Sequence, residues 1–156
     1  MEKVTVGVIG SSLATGKLYD YAMEVGRLAA MRGAVVLTGG LGGVMEAACK
    51  GAKEAGGQTV GILPGVDAAD CNPYVDIPVV TGLNHARNII VVRSSTVLIA
   101  VGGQYGTLSE IAFALKLGKP VVGLESWDVG AGIIKAADPA QAVELAFGAA
   151  GLNPEG

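Results

Sequence analysis

The stretch that decides the fold is Thr96–Glu110, which reads TVLIAVGGQYGTLSE. Its first six residues have the length and the largely apolar, β-branched character of a strand buried on both faces. Beyond the glycines, four apolar residues recur at helical spacing: Leu108, Ile111, Ala112 and Leu115. The glycines therefore lie in a turn between a buried strand and a helix, where backbone N–H groups can point at an anion.

The same alternation of apolar strand and helix extends outward in both directions. Strands are predicted over residues 4–10, 34–38, 58–63, 76–80 and 120–124, in addition to 96–101. Helices are predicted over 17–32, 44–55, 84–93, from the glycine turn to 117, and over 139–149 after an Asp138 cap. This pattern predicts an α/β fold over residues 1–156: a single-domain, Rossmann-like, doubly wound parallel sheet with helices on both faces.

Composition excludes several classes of partner. A net charge of −3 removes the long-range attraction that proteins binding nucleic acid or anionic membranes normally use. Cys49 and Cys71 have no metal-binding spacing, and Asp67, Asp70 and Asp76 match no calcium or magnesium loop. We therefore expect no metal site, no nucleic acid and no membrane as partners. Without a signal peptide or a spanning apolar run, a cytoplasmic protein with reduced thiols is expected.

Three turns follow predicted strands and should meet at the carboxyl edge of the sheet, where such folds bind ligands. We predict that a phosphate-type ligand is bound there by glycines, which allow close approach of the backbone, and by neighbouring polar residues. The predicted residues are Gly10, Ser11, Ser12, Gly39, Gly40, Gly42, Gly43, Arg87, Gly102, Gly103, Gln104, Tyr105, Gly106 and Thr107. Neither G-x-G-x-x-G after the first strand nor a P-loop occurs, which disfavours ordinary NAD binding and ATP hydrolysis.

Two charged residues carry alternative interpretations. Thr107-Leu108-Ser109-Glu110 fits a capping box, in which Glu110 would only stabilise the start of the helix. Alternatively, Glu110 faces the ligand and stabilises positive charge or transfers a proton. Arg87 is either a bidentate phosphate ligand or a surface residue that is solvated or paired with a glutamate. His85 stands alone, which is weak evidence of catalysis.

These motifs resemble the LOG-like ("Lonely Guy") superfamily of Rossmann proteins over nearly the whole chain. The family pattern P-G-G-x-G-T-x-x-E resembles Gly102 to Glu110, which reads G-G-x-x-G-T-x-x-E with one more residue between the glycines. Val101 stands in place of the family's proline, and Asn88 in place of the lysine after the arginine. Further matches are Gly10-Ser11-Ser12, Leu37-Thr38-Gly39-Gly40, Gly43-Val44-Met45 and Arg87. Segments 51–57, 62–65 and 75–82 are most similar to the molybdenum cofactor carrier branch of that superfamily.

The resemblance implies a phosphate-bearing ligand and a homodimer or larger homo-oligomer. In the carrier branch the ligand is a pterin phosphate, so the first hypothesis is a carrier for the molybdenum cofactor or a phosphorylated nucleotide. In the enzymes of the family, which cleave nucleoside 5′-monophosphates, the residues matching Arg87 and Glu110 are catalytic. The second hypothesis is therefore a phosphoribohydrolase that needs no cofactor for its chemistry, and a regulatory nucleotide sensor is a third. We expect loops 13–17 and 64–74 to contribute to specificity.

Overall fold

The computed structural model describes residues 3–152. It contains seven strands and five α-helices: β1 (Thr5–Gly10), α1 (Gly16–Met31), β2 (Val35–Thr38), α2 (Val44–Glu54), β3 (Thr59–Leu63), β4 (Ile77–Val80), α3 (Arg87–Ser94), β5 (Val97–Val101), α4 (Tyr105–Lys116), β6 (Val121–Leu124), β7 (Ile133–Ala136) and α5 (Pro139–Ala149). The ends of the predicted domain, residues 1–2 and 153–156, lie outside the described residues.

All strand pairs are parallel, in the order β4-β3-β2-β1-β5-β6-β7. The order reverses between β1 and β5, where Gly10 pairs with Val101. Crevices form at such a reversal because the connections on its two sides lead away to opposite halves of the sheet. The predicted doubly wound sheet is confirmed, and its point of reversal coincides with the glycine turn of residues 102–106.

Helices cover both faces of the sheet, as predicted. On one face, α1, α2 and α5 pack Val25, Ala48 and Ala146 against β1, β2 and β5. On the other face, Val91 of α3 and Ile111 of α4 pack over Ile9 and Leu98. The sheet is therefore buried in its centre, which explains the continuous apolar run of β5.

Several boundaries differ from the sequence-based prediction. The strand β7 was not predicted, because its four residues follow a segment without periodicity and only Ile133 among them is buried. The helix predicted over 84–93 divides into a 3₁₀ turn, Asn84–Ala86, and α3. A 3₁₀ turn, Ala68–Asp70, interrupts the predicted loop before β4. The start of α5 is as predicted, since Asp138 accepts a hydrogen bond from Gln141 N at 2.8 Å.

Strand β4 forms one edge of the sheet, and all four of its residues are exposed. Pro78 lies within it, and a proline is tolerated there because an edge strand has one side without a hydrogen-bonding partner. Among the described residues, no helix combines the length and apolar character needed to cross a bilayer.

Candidate functional site

A cleft of about 230 Å³ opens at the carboxyl edge of the sheet, where β1 and β5 end. The turn after β1 contributes one wall, the first turns of α2 and α3 contribute two more, and the start of α4 closes the fourth side. The cleft is lined by Gly10, Ser11, Ser12, Leu41, Met45, His85, Arg87, Asn88, Gln104, Gly106, Thr107 and Glu110. It lies where parallel sheets of this kind bind their ligands.

The first turn of α4 presents backbone donors to the cleft. Gln104 is the N-cap but makes no capping bond with its side chain, and the first hydrogen bond within the helix joins Leu108 N to Gln104 O at 3.0 Å. The amides of residues 105–107 precede that bond, so the helix does not use them. Together with the positive end of the helix dipole, these amides form an anion-binding site of the kind that the sequence predicts.

Glu110 is buried in the same cleft, 7% exposed, and is not part of a capping box. The helix begins at Tyr105, so Thr107 is its third residue and cannot cap it. The capping-box interpretation is therefore wrong. Burial raises the pKa of Glu110 to about 8, although the positive charge of Arg87 opposes that shift. At neutral pH the side chain is mainly a neutral carboxylic acid, able to donate a hydrogen bond.

Arg87 begins α3 and is also buried, with 9% of its surface exposed. Its Nη1 donates to Asn88 Oδ1, and its Nη2 donates weakly to Gly39 O at 3.4 Å. Its Nε is buried and has no acceptor among the described residues. Burial lowers the pKa of Arg87. The alternative that Arg87 is a solvated surface residue is therefore wrong, because the guanidinium forms part of the cleft wall.

A short hydrogen-bond chain joins Arg87 to the anion-binding turn. Asn88 Nδ2 donates to Ser109 Oγ at 3.1 Å, and Ser109 Oγ donates to Gly106 O at 2.6 Å. Asn88, which occupies the position of the family's lysine, thus contacts both the guanidinium and α4. This chain fixes the arginine relative to the free amides of the helix.

The glycine turn after β2 is used differently. A Cβ atom at Gly39 would lie 2.6 Å from Arg87 Nη2, and one at Gly43 would lie 2.2 Å from Ser11 O. Val44 N donates to Ser11 O at 3.0 Å, which joins this turn to the turn after β1. These glycines therefore make room for Arg87 and for close packing of two turns.

Hydrogen bonds from Asn72, in the loop before β4, also hold the turn after β2 in place. Asn72 is buried, its N donates to Gly40 O and its Nδ2 donates to Leu41 O, both at 2.9 Å. The loop before β4 is thereby fixed against the turn. Leu41 is the one residue of this turn that lines the cleft.

The structure brings eight of the predicted residues together in the cleft: Gly10, Ser11, Ser12, Arg87, Gln104, Gly106, Thr107 and Glu110. Seven others lie outside its lining: Gly39, Gly40, Gly42, Gly43, Gly102, Gly103 and Tyr105. Tyr105 is 80% exposed and stacks on Trp127, whose Nε1 donates to Gln104 O at 3.0 Å. Gly103 faces Thr107, where an added Cβ would lie 2.5 Å from Thr107 Oγ1.

Four cleft residues were missed as site residues from the sequence: Leu41, Met45, His85 and Asn88. Leu41 and Met45 look like ordinary apolar residues of a turn and a helix. Asn88 could have been found as the neighbour of Arg87 at a position where the family has a lysine. Among residues 3–152, no three His, Cys, Asp or Glu side chains are grouped as metal ligands.

A model of the SLOG cluster4 family matches residues 3–148. The chain belongs to this family. An uncharacterized protein of Archaeoglobus fulgidus is 51% identical over 125 residues, which cover 80% of this chain and 82% of the relative. The predicted resemblance to the LOG-like superfamily is thus confirmed at the level of the SLOG family.

Two solved structures share the whole architecture of this family member. The molybdenum cofactor binding protein of the phototrophic bacterium Rippkaea orientalis is 43% identical, with a TM-score of 0.88 and coverage of 93% of this chain and 96% of that one. The molybdenum cofactor carrier protein of Chlamydomonas reinhardtii is 42% identical, with a TM-score of 0.87 and coverage of 95% and 98%. The similarity to the carrier branch, read from segments 51–57, 62–65 and 75–82, is confirmed.

Proposed function

We propose that this protein binds the molybdenum cofactor as a carrier and holds the phosphate of the pterin in the cleft between α3 and α4. The observation that carries the proposal is the pairing of a buried Arg87 with the free amides at the start of α4. The similarity to two proteins named for this cofactor, over more than nine-tenths of the chain, supports the choice of ligand.

The phosphate is bound by three kinds of donor on two helices. Backbone amides of residues 105–107 and the hydroxyl of Thr107 approach from α4, and the guanidinium of Arg87 supplies a charged donor from α3. Hydrogen bonds to charged groups contribute about 1.5–3 kcal/mol each, so Arg87 is the largest single contribution expected. Ser11 and Ser12 lie next to the ligand on the side of β1.

The state of Glu110 supports binding without hydrolysis. A phosphoribohydrolase would need an ionised carboxylate to stabilise an oxocarbenium ion or to activate water. Burial raises the pKa of Glu110 to about 8, so the neutral acid is the favoured form at pH 7. The neutral acid can instead donate a hydrogen bond to an anionic ligand without adding repulsion.

Retention of cofactor tests the proposal. The protein is produced in cells that make the molybdenum cofactor, and the molybdenum and pterin that remain bound after purification are measured. Arg87→Met keeps the length of the side chain but removes its charge, and should lower both contents at least tenfold. Arg93→Met, on the exposed side of the same helix, is the matched control and should retain both. Equal retention in the two variants would contradict the proposal.

The hydrolase hypothesis is tested with nucleoside 5′-monophosphates. Purified protein is incubated with AMP and GMP, and ribose 5-phosphate and free base are measured. We expect no turnover. Turnover by the wild type that is lost in the Glu110→Gln variant would show that the protein is a hydrolase and would contradict the carrier proposal.

Assembly and location belong to the same proposal. Similarity to the family implies a homodimer or larger homo-oligomer, and the composition of the chain favours a cytoplasmic location. Light scattering after size-exclusion chromatography measures the mass, which for a dimer is twice the 15.6 kDa of the chain.

A further inference from the structure

A second cavity, of about 410 Å³, adjoins the cleft on the side of β3. We name it the side compartment and define it by Leu41, Pro64, Asn84, His85 and Arg87. Three of these residues, Leu41, His85 and Arg87, also line the cleft. The two cavities are therefore neighbours, and one ligand with two parts could place one part in each.

The wall of the side compartment is held by backbone hydrogen bonds between two loops. Asn84 N donates to Pro64 O at 2.9 Å, and Gly82 N donates to Gly65 O at 2.8 Å. Asn84 has a φ of +52°, a backbone conformation that few residues other than glycine, asparagine and aspartate adopt readily. This conformation places the loop against the end of β3 and so helps to define the shape of the compartment.

The chemistry of the two cavities is different. The cleft contains free amides, hydroxyls, a buried carboxylic acid and a guanidinium, which suit a phosphate. The side compartment combines apolar walls, Leu41 and Pro64, with two exposed polar residues, Asn84 and His85. Apolar walls with a few polar groups are typical of sites for flat heterocycles. Arg87 lies at the junction, with its Nε unpaired by any described residue.

We propose that the side compartment binds the planar nitrogen heterocycle of the ligand while the cleft binds its phosphate, with Arg87 between the two. This inference rests on the function proposed above for the same site, and it specifies the ligand class. The site selects phosphate esters of a bicyclic heterocycle, either a pterin or a purine, over phosphate esters that lack the ring. Asn84 contacts the polar edge of the ring.

Three commercially available probes separate the two halves of the site. Guanosine 5′-monophosphate carries both a phosphate and a ring, and its guanine has the same amino-oxo-pyrimidine edge as a pterin. Ribose 5-phosphate lacks the ring, and guanosine lacks the phosphate. In calorimetric titrations of the full chain, we expect guanosine 5′-monophosphate to bind at least tenfold more tightly than either fragment.

Two variants then locate the ring. Pro64→Trp narrows the compartment from a wall that the cleft does not share, and Asn84→Gly removes the side chain but keeps the positive φ accessible. Each should weaken binding of guanosine 5′-monophosphate about tenfold and change binding of ribose 5-phosphate less than twofold. Leu117→Trp, just beyond the carboxyl end of α4 and away from both cavities, is the control for the introduced indole and should change neither.

Three results would overturn the proposal. Equal affinity for guanosine 5′-monophosphate and ribose 5-phosphate would leave a phosphate site but no ring site. Loss of both affinities in parallel in the two variants would show that they damage the phosphate site. Failure of all three probes to bind would also reject the ligand class. The carrier function is decided separately, by retention of the molybdenum cofactor, so failure of the two ideas can be distinguished.

Discussion

The two glycine turns after β2 and β5 look alike in sequence but have different uses in the structure. In the turn after β5, Gln104, Gly106 and Thr107 line the cleft, and the amides of residues 105–107 are not used by the helix. In the turn after β2, Gly39 makes room for Arg87 and Gly43 packs on Ser11. The first turn thus contributes three residues to the cleft, and the second contributes Leu41 alone.

The difference shows that a glycine-rich turn has two separate physical explanations. A side chain can be excluded because a ligand must approach the backbone, or because another part of the protein is already there. A Cβ atom at Gly106 would meet nothing within 4 Å, whereas one at Gly43 would collide with a carbonyl oxygen.

The largest expected effect is on the folding of the turn after β2. Gly43 has a φ of +62°, and an added Cβ would lie 2.2 Å from Ser11 O. Gly43→Ala should lower the free energy of unfolding by about 4 kcal/mol, from roughly 1–3 kcal/mol of backbone strain and a similar amount for overpacking. Urea denaturation of the variant and the wild type measures this difference in the free energy of unfolding. Gly106→Ala is the matched variant in the other turn and should unfold like the wild type. Equal destabilisation of the two variants would remove the distinction between the turns.

The second effect concerns the helix that follows the turn after β5. The native pKa of Glu110, about 8, exceeds the ordinary value of 4.5, so folding favours the protonated form. The wild type therefore loses stability as the pH rises from 4.5 to 8, at up to about 1.4 kcal/mol per pH unit. Glu110→Gln cannot ionise and should be more stable by up to about 4 kcal/mol at pH 8, and by less than about 1 kcal/mol at pH 5.

Unfolding of the wild type and of Glu110→Gln is compared by urea denaturation at pH 5, 6.5 and 8. Glu125→Gln, an exposed carboxylate, provides the control and should show no comparable rise between pH 5 and 8. A difference between Glu110→Gln and wild type that is independent of pH would mean that Glu110 is ionised in the native protein.

The third effect links the two turns through Arg87. An alanine Cβ at Gly39 would lie 2.6 Å from Arg87 Nη2 and 2.8 Å from Met45 Sδ, both of which are side-chain atoms that can move. Gly39→Ala should therefore displace the guanidinium and weaken binding of guanosine 5′-monophosphate about tenfold, or about 1.4 kcal/mol. Calorimetry measures the affinity. Unchanged affinity would show that Arg87 does not contact the ligand.

The smallest effect is expected at Tyr105. The sequence suggests that it binds phosphate, but its ring is exposed and stacks on Trp127 with the centroids 5.9 Å apart. Its contribution to the site is through its backbone amide, which any residue other than proline supplies. Tyr105→Ala should change ligand affinity less than twofold, whereas Tyr105→Pro removes the amide. Tenfold weaker binding by the alanine variant would give the ring a role in the site.

The sequence was sufficient for the fold and for much of the cleft. Long apolar strands and glycine turns are local signals, and they predict β1 to β6, all five helices and the edge to which the turns converge. Strand β7 was missed because a four-residue edge strand with one buried residue has no periodicity to detect. Glu110 could not be assigned either, since its burial depends on how α3 packs beside α4, and spacing along one helix carries no information about that.

The division between the two glycine turns was equally hidden from the sequence. Whether Gly39 faces a ligand or Arg87 depends on a contact between residues 48 positions apart in the chain. The same holds for Asn72, which clamps the turn through Gly40 and Leu41 from a loop that shows no periodicity. Such polar contacts between distant loops determine the shape of the site, and they leave no regular pattern.

Strand β4 has a consequence for how copies of the protein can associate. Ile77, Val79 and Val80 are exposed at its edge, and an apolar edge strand is a ready template for adding the strand of another molecule. Pro78 interrupts the row of N–H donors along that edge, because it has none. Pro78, the second residue of β4, therefore prevents a continuous sheet from growing from one copy to the next. We expect copies to assemble through helices and loops, and fibrils to be disfavoured even at high protein concentration.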